Sequence, residues 1–180
     1  MLVIDLVTSV DFTYMESKVQ AHEVLSSPNG ISIVDYEPKY EKAFKQLNQE
    51  WIERYFKMEE SDHKALDHPQ EYILNKGGHI FVALDEDVPV GVCALIKMKD
   101  HRFELAKMAV SPNAQGKGVG FMLGNAAIAQ ARQLGATSLY LESNTILKPA
   151  IALYHKLGFQ EMTGYTSPYE RCDIQMQRQL

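Results

Sequence analysis

Apolar and polar positions along this chain change period several times, and each change predicts an element. Residues 31–36 alternate with a period of two, as a half-buried strand does, and residues 41–57 then carry Phe44, Leu47, Trp51, Ile52, Tyr55 and Phe56 at helical spacing. Residues 62–74 predict a second short helix, interrupted at His68-Pro69 because the residue before proline is pushed out of the helical region, and ended by Gly77-Gly78. Residues 79–84 and 88–98 are apolar, β-branched runs joined by Asp85-Glu86-Asp87, which predicts an antiparallel hairpin, and residues 103–110 form the next strand. A long helix follows a glycine-rich stretch, with Gly120, Leu123, Ala127, Ala131 and Leu134 on one stripe and Gly135 at the C′ position. Residues 138–143 alternate again, Pro149 suits the first turn of a further helix that Gly158 ends, and residues 159–162 and 172–177 predict a last antiparallel pair. Residues 1–30 follow neither period and close on Ser26-Ser27-Pro28-Asn29-Gly30, so they read as an appendage of unknown role to a domain of residues 31–180.

Composition narrows this picture without changing it. A chain of 180 residues, 46% of them hydrophobic, suits one domain with one sizeable core. A net charge of −5 argues against a nucleic-acid surface and is compatible with cationic amine substrates. The sequence predicts neither a membrane span nor a secretory signal, which leaves the cytoplasm as the expected location. Cys93 and Cys172 stand far apart without a Cys-x-x-Cys pair and read as free thiols.

The chemistry concentrates in Gln115-Gly116-Lys117-Gly118-Val119-Gly120, between a predicted strand and a predicted helix. A helix N-terminus presents unpaired N–H groups and partial positive charge, so anions bind there. Glycines allow the backbone to approach a phosphate and adopt positive φ, and Lys117 adds charge. The spacing excludes a Walker A loop, which needs Lys followed by Ser or Thr, and a Gly-x-Gly-x-x-Gly dinucleotide fingerprint. Upstream lies Glu104-Leu105-Ala106-Lys107-Met108-Ala109-Val110-Ser111-Pro112, and downstream Pro149-Ala150-Ile151-Ala152-Leu153-Tyr154-His155-Lys156-Leu157-Gly158-Phe159. These three segments, in this order and spacing, resemble the fourth strand, pyrophosphate loop and late Leu-Tyr-x-x-x-Gly-Phe helix of the GNAT superfamily of N-acetyltransferases, over about residues 31–180.

That resemblance implies an α/β (α+β) fold, with a mixed, mostly antiparallel sheet of about six to seven strands flanked by about four helices. It also implies that strands four and five splay to admit the pantetheine arm of acetyl-CoA, the acyl donor, with no metal. Cofactor contacts would come from Met108, Ala109 and Val110 and from Gln115, Gly116, Lys117, Gly118, Val119 and Gly120, one strand N–H polarising the thioester carbonyl. The resemblance makes Tyr154 a cofactor contact and the acid that protonates the leaving thiolate. Glu104 and Glu142 are rival general bases; Glu142 shares a strand face with Tyr140 and Asn144. Burial would make either a better base near neutrality. Asn144 is a further cofactor candidate, but the loop before Ala150 is three residues longer than the family's Asn-x-x-Ala-x-x-Leu-Tyr, and a turn role competes. Trp51, Tyr55 and Phe56 would wall the acceptor site, with core packing as the competing reading, and Arg171 would face an acceptor carboxylate or solvent.

The implied reaction is direct transfer of an acetyl group to a primary amine of a small molecule or amino acid. A non-catalytic acyl-CoA-binding sensor and a peptide or protein N-acetyltransferase are the alternatives, and a homodimer is a family-level expectation. His63 and Asp67 share a helix face, but no further ligand at metal spacing accompanies them.

Overall fold

An extra residue in one strand and a short run of parallel pairing shape this domain. The computed structural model describes residues 25–26, 30–164, 167 and 169–180. Among the described residues its sheet has seven strands of three residues or more: β1 (Ile31–Asp35), β2 (His79–Asp85), β3 (Val88–Lys97), β4 (Arg102–Val110), β5 (Ser138–Ser143), β6 (Gln160–Met162) and β7 (Ile174–Gln179). Their order is β1-β2-β3-β4-β5-β7-β6, and every pair is antiparallel except β4 with β5. From the predicted appendage, Leu25–Ser26 adds a two-residue strand against Ile33 and Ser32 of β1, while residues 1–24 and 27–29 lie outside the described residues.

Five helices cover the sheet: α1 (Glu41–Tyr55), α2 (Glu60–Asp67), α3 (Pro69–Tyr72), α4 (Val119–Gln133) and α5 (Lys148–Lys156). The predicted second helix is divided, as His68-Pro69 requires: His68 leaves helical geometry, and Pro69 restarts the chain as α3. On one face of the sheet Phe44 and Ile52 of α1 and Ala65 and Leu66 of α2 bury against Ile80, Val82, Val92 and Ala94. On the other, Val119, Leu123, Ala127 and Ala131 of α4 meet Phe81, Cys93, Leu95 and Leu139. Leu134 departs from the predicted stripe: it caps α4 and is 43% exposed, because the helix has already ended at Gln133. The last strand begins two residues later than the pattern suggests, at Ile174, because Cys172 N–H closes a turn onto the carbonyl of Tyr169.

Two departures from regular pairing open the interior. Val92 of β3 pairs with Ala109, but Ala94 pairs with Ala106, so β4 holds one extra residue there, and Lys107 adopts a left-handed φ of +50°. This bulge reverses the strand's facing: Phe103 and Leu105 pack toward α4, whereas Ala109 packs toward α1. Strands β4 and β5 pair only at Arg102–Ser138, Phe103–Leu139 and Glu104–Tyr140. Beyond Glu104 the β5-facing edge of β4 meets no strand among the described residues, leaving its backbone groups to be satisfied otherwise.

Candidate active site

Where β4 and β5 part, a cavity of about 590 Å³ opens between the glycine-rich loop, the bulge and α1. At one end, the turn Pro112–Ala114 leads into the loop, and Gln115 Nε2 donates to the carbonyl of Val110 at 3.1 Å, folding the loop back onto β4. Gly116 and Gly118 take φ of +78° and +82°, and Gly118 is the N-cap of α4. The first N–H groups of α4 therefore stand at the cavity with the dipole's positive end behind them, a setting suited to a phosphate. At Gly120 the contact is one of side-chain space: a Cβ there would lie 2.9 Å from Cδ2 of Leu153 on α5, which would have to shift. The backbone of this loop lines the cavity, but the Lys117 ammonium pairs with Asp85 on β2 at 3.4 Å and is exposed.

Tyr154 reaches the cavity from α5, and the end of that helix explains why. The N–H of Phe159 donates to the Tyr154 carbonyl and that of Gly158 to the His155 carbonyl, the paired bonds of a Schellman motif, with Gly158 at φ +85°. The Tyr154 and Phe159 rings meet edge to face, 6.2 Å between centroids. The Leu-Tyr-x-x-x-Gly-Phe segment is thus a helix-stop device that fixes the tyrosine ring. Burial, with a smaller effect from the neighbouring Cys93 thiol, pushes the phenol up to about 12, so it carries its proton at neutral pH.

Glu104 and Glu142, brought together by the short parallel run, have different surroundings. Glu142 accepts hydrogen bonds from Tyr140 Oη at 2.7 Å and Ser167 Oγ at 2.6 Å. Glu104 lines the cavity without a hydrogen-bond donor among the described residues; burial, and then the like charge of Glu142, push its carboxyl up to about 7 against the pull of Lys107. Glu104 is thus a carboxylate able to exchange a proton near neutrality.

An ion network that sequence reasoning did not find closes the far side. Lys107, at the bulge, is buried with its Nζ 2.7 Å from Oδ1 of Asp62, which is fully buried in the first turn of α2. Arg171 clasps the same carboxylate, NH1 to Oδ2 at 2.6 Å and NH2 to Oδ1 at 2.7 Å, and NH1 also reaches Glu59 Oε1 at 3.0 Å. Both cations sit against the Tyr169 ring, 5.1 Å and 4.8 Å from its centroid. Burial pushes the Asp62 carboxyl up, but Arg171 and Lys107 together outweigh it and hold the group at about 2. The available signal was a lysine in the buried alternation of Leu105 and Ala109; a charge there demands a partner.

The remaining predicted residues fall around the same space. Met108, Ala109 and Val110 line it along β4, and Trp51, Tyr55 and Phe56 line it from the end of α1. Trp51 and Phe56 also pack on the α1 side of the core, in edge-to-face contact at 6.3 Å, while Tyr55 is 52% exposed. Arg171 lines the cavity, but its guanidinium is engaged by the protein's own carboxylates. The Asn144 amide is likewise committed to its turn: Nδ2 donates to the Arg171 carbonyl at 2.7 Å, and Oδ1 accepts from the Ile146 N–H at 3.0 Å. Among the described residues no helix is long and apolar enough to cross a membrane.

Comparison with known proteins agrees with this geometry. The acetyltransferase (GNAT) family profile matches residues 44–159. An uncharacterized N-acetyltransferase of Escherichia coli (strain K12), YjgM, is 33% identical over 115 residues, 60% of this chain and 68% of that protein. The crystal structure of a GNAT-family acetyltransferase from Staphylococcus aureus Mu50 superposes with a TM-score of 0.74 at 20% identity, over 83% of this chain and 98% of its own. That of a Bacillus subtilis acetyltransferase in complex with CoA does so at 0.63 and 21%, over 82% and 97%. A matched profile across more than half of the sequence, the splayed β4–β5 pair and the glycine loop at the start of α4 agree: this chain belongs to the acetyltransferase (GNAT) family.

Proposed function

We propose that this protein transfers the acetyl group of acetyl-CoA directly to the primary amine of a small molecule. The observation that carries this reading is the single cavity lined at once by the glycine loop, the unpaired edge of β4, Glu104 and Tyr154. The Bacillus subtilis relative in complex with CoA supports acetyl-CoA as the donor substrate.

In this proposal the loop N–H groups hold the donor's phosphates, and the backbone of Met108 and Val110 aligns the pantetheine as an added strand. An N–H of the bulged edge stabilises charge on the thioester oxygen. Glu104 takes a proton from the acceptor's ammonium, the amine nitrogen bonds to the thioester carbon, and the carbon–sulfur bond breaks. The thiolate receives the Tyr154 proton, the new amide nitrogen sheds its second proton to solvent, from which the phenolate is reprotonated, and Glu104 releases the proton it took to solvent. Positioning of two substrates in one cavity supplies the rest of the acceleration.

The test is mass spectrometry of acetyl-CoA incubated with the protein and a panel of amines, amino acids and short peptides, beside Tyr154→Phe. A protein-dependent acetylated product with equimolar CoA, slowed about 10²-fold or more in the variant, is expected. Tight acetyl-CoA binding without any product would instead identify a non-catalytic acyl-CoA-binding module, and product from peptides alone would move the acceptor class.

A further inference from the structure

From the charges that remain unpaired in the cavity we infer that the acceptor is a cationic amine with an apolar body and no carboxylate. The inference rests on the proposed function and concerns the acceptor half of the same cavity.

Three cations line the cavity, and each has a place. Lys107 and Arg171 converge on Asp62, with Arg171 also held by Glu59, and both lie against the Tyr169 ring. Lys156 stands elsewhere, 4.6 Å over the Phe121 ring in the first turn of α4, beside the loop suited to phosphates. Among the described residues neither cation of the Asp62 network is left over for an acceptor carboxylate, and Lys156 stands on the side of the loop suited to phosphates. Apart from Lys156, the cavity groups without an ion-pair partner among the described residues are acidic: Glu142, fixed by Tyr140 and Ser167, and Glu104, which has no hydrogen-bond donor there. An entering carboxylate would meet the charge of Glu142, and that of Glu104 whenever it ionises, in a partly desolvated space, a juxtaposition that opposes binding. A second ammonium, or the reacting one, meets the opposite sign. Trp51, Tyr55 and Phe56, which line the same cavity, supply aromatic rings of the kind that attract a cation and apolar area suited to a hydrocarbon or aryl chain.

Matched pairs that differ only by the α-carboxylate test this: cadaverine against lysine, and tyramine against tyrosine. Acetyl transfer by the full chain is read by mass spectrometry. Binding is read separately, in the presence of CoA, from the fluorescence of Trp51, the chain's one tryptophan. The amines are expected to exceed the amino acids by about 10²-fold in kcat/KM and in affinity. Glu142→Gln keeps hydrogen-bonding capacity toward Tyr140 and Ser167 while removing a charge, and should narrow that gap. Equal transfer to both members of each pair would overturn the inference and leave the proposed transfer standing. If neither is acetylated, preferential binding of the amines sustains the inference while the transfer reading fails. Equal binding, or no response to either amine at millimolar concentration, overturns it.

Discussion

Replacing Glu104 by Gln should move activity and stability in opposite directions, because the same burial that makes Glu104 a base near neutrality makes its charge unfavourable in the fold. Its carboxyl stands at about 7 rather than 4.5. Each tenfold change in an acid constant is worth about 1.4 kcal/mol, so the ionised form costs the native state up to about 3 kcal/mol. The sign follows from proton counting: between pH 4.5 and 7 the unfolded chain has released this proton while the native chain retains it, so native stability falls as pH rises through that window. Glutamine has no charge to lose. Urea unfolding of the two proteins should therefore give similar stabilities near pH 4.5 and a gap in favour of the variant of about 3 kcal/mol above pH 8. Over the same range kcat/KM of the unmodified enzyme should rise toward a plateau above pH 7, and Glu104→Gln should lie about 10²-fold or more below it. A variant with no pH-dependent stability gap would refute the argument that burial raises this carboxyl. A gap with undiminished turnover would remove Glu104 from the reaction and turn attention to Glu142.

Gly118→Ala should lose about 1 kcal/mol in urea unfolding, since alanine is strained at φ +82° although nothing crowds its Cβ, and calorimetry should find weaker acetyl-CoA binding; no change in either would remove the loop from donor recognition. Lys107→Met should destabilise the fold by about 3 kcal/mol, because Asp62 keeps Arg171 but loses half of its compensation. A loss below about 1 kcal/mol would mean that Arg171 alone satisfies the buried carboxylate.

The features readable in the amino-acid order are those made by neighbours in the chain. A period of two or 3.6, a proline after His68 and a glycine at C′ after α4 and α5 act within a turn or a strand, so the elements emerged with ends shifted by a few residues. The glycine loop and Tyr154 were legible for the same reason: one is a helix start, the other the position that a Schellman stop pins against Phe159. The ion network beside the cavity was legible only as a lysine out of place. Asp62 meets Lys107 across 45 positions and Arg171 across 109, so the alternation of Leu105, Lys107 and Ala109 signals that a partner is needed but nothing local names it. Which carboxylate is free was likewise decided by Tyr140 and Ser167 reaching Glu142 and no donor among the described residues reaching Glu104. The bulge at Lys107 matters most: one extra residue, invisible to a strict alternation, changes which side chains of β4 face each side of the sheet. Sequence alone therefore determined the elements, the glycine-rich loop at the start of α4 and the tyrosine beside its helix stop, because short-range backbone physics dictates them. The tertiary structure alone decided the charge balance of the cavity, because desolvation and ion pairing depend on which distant residues the sheet brings together.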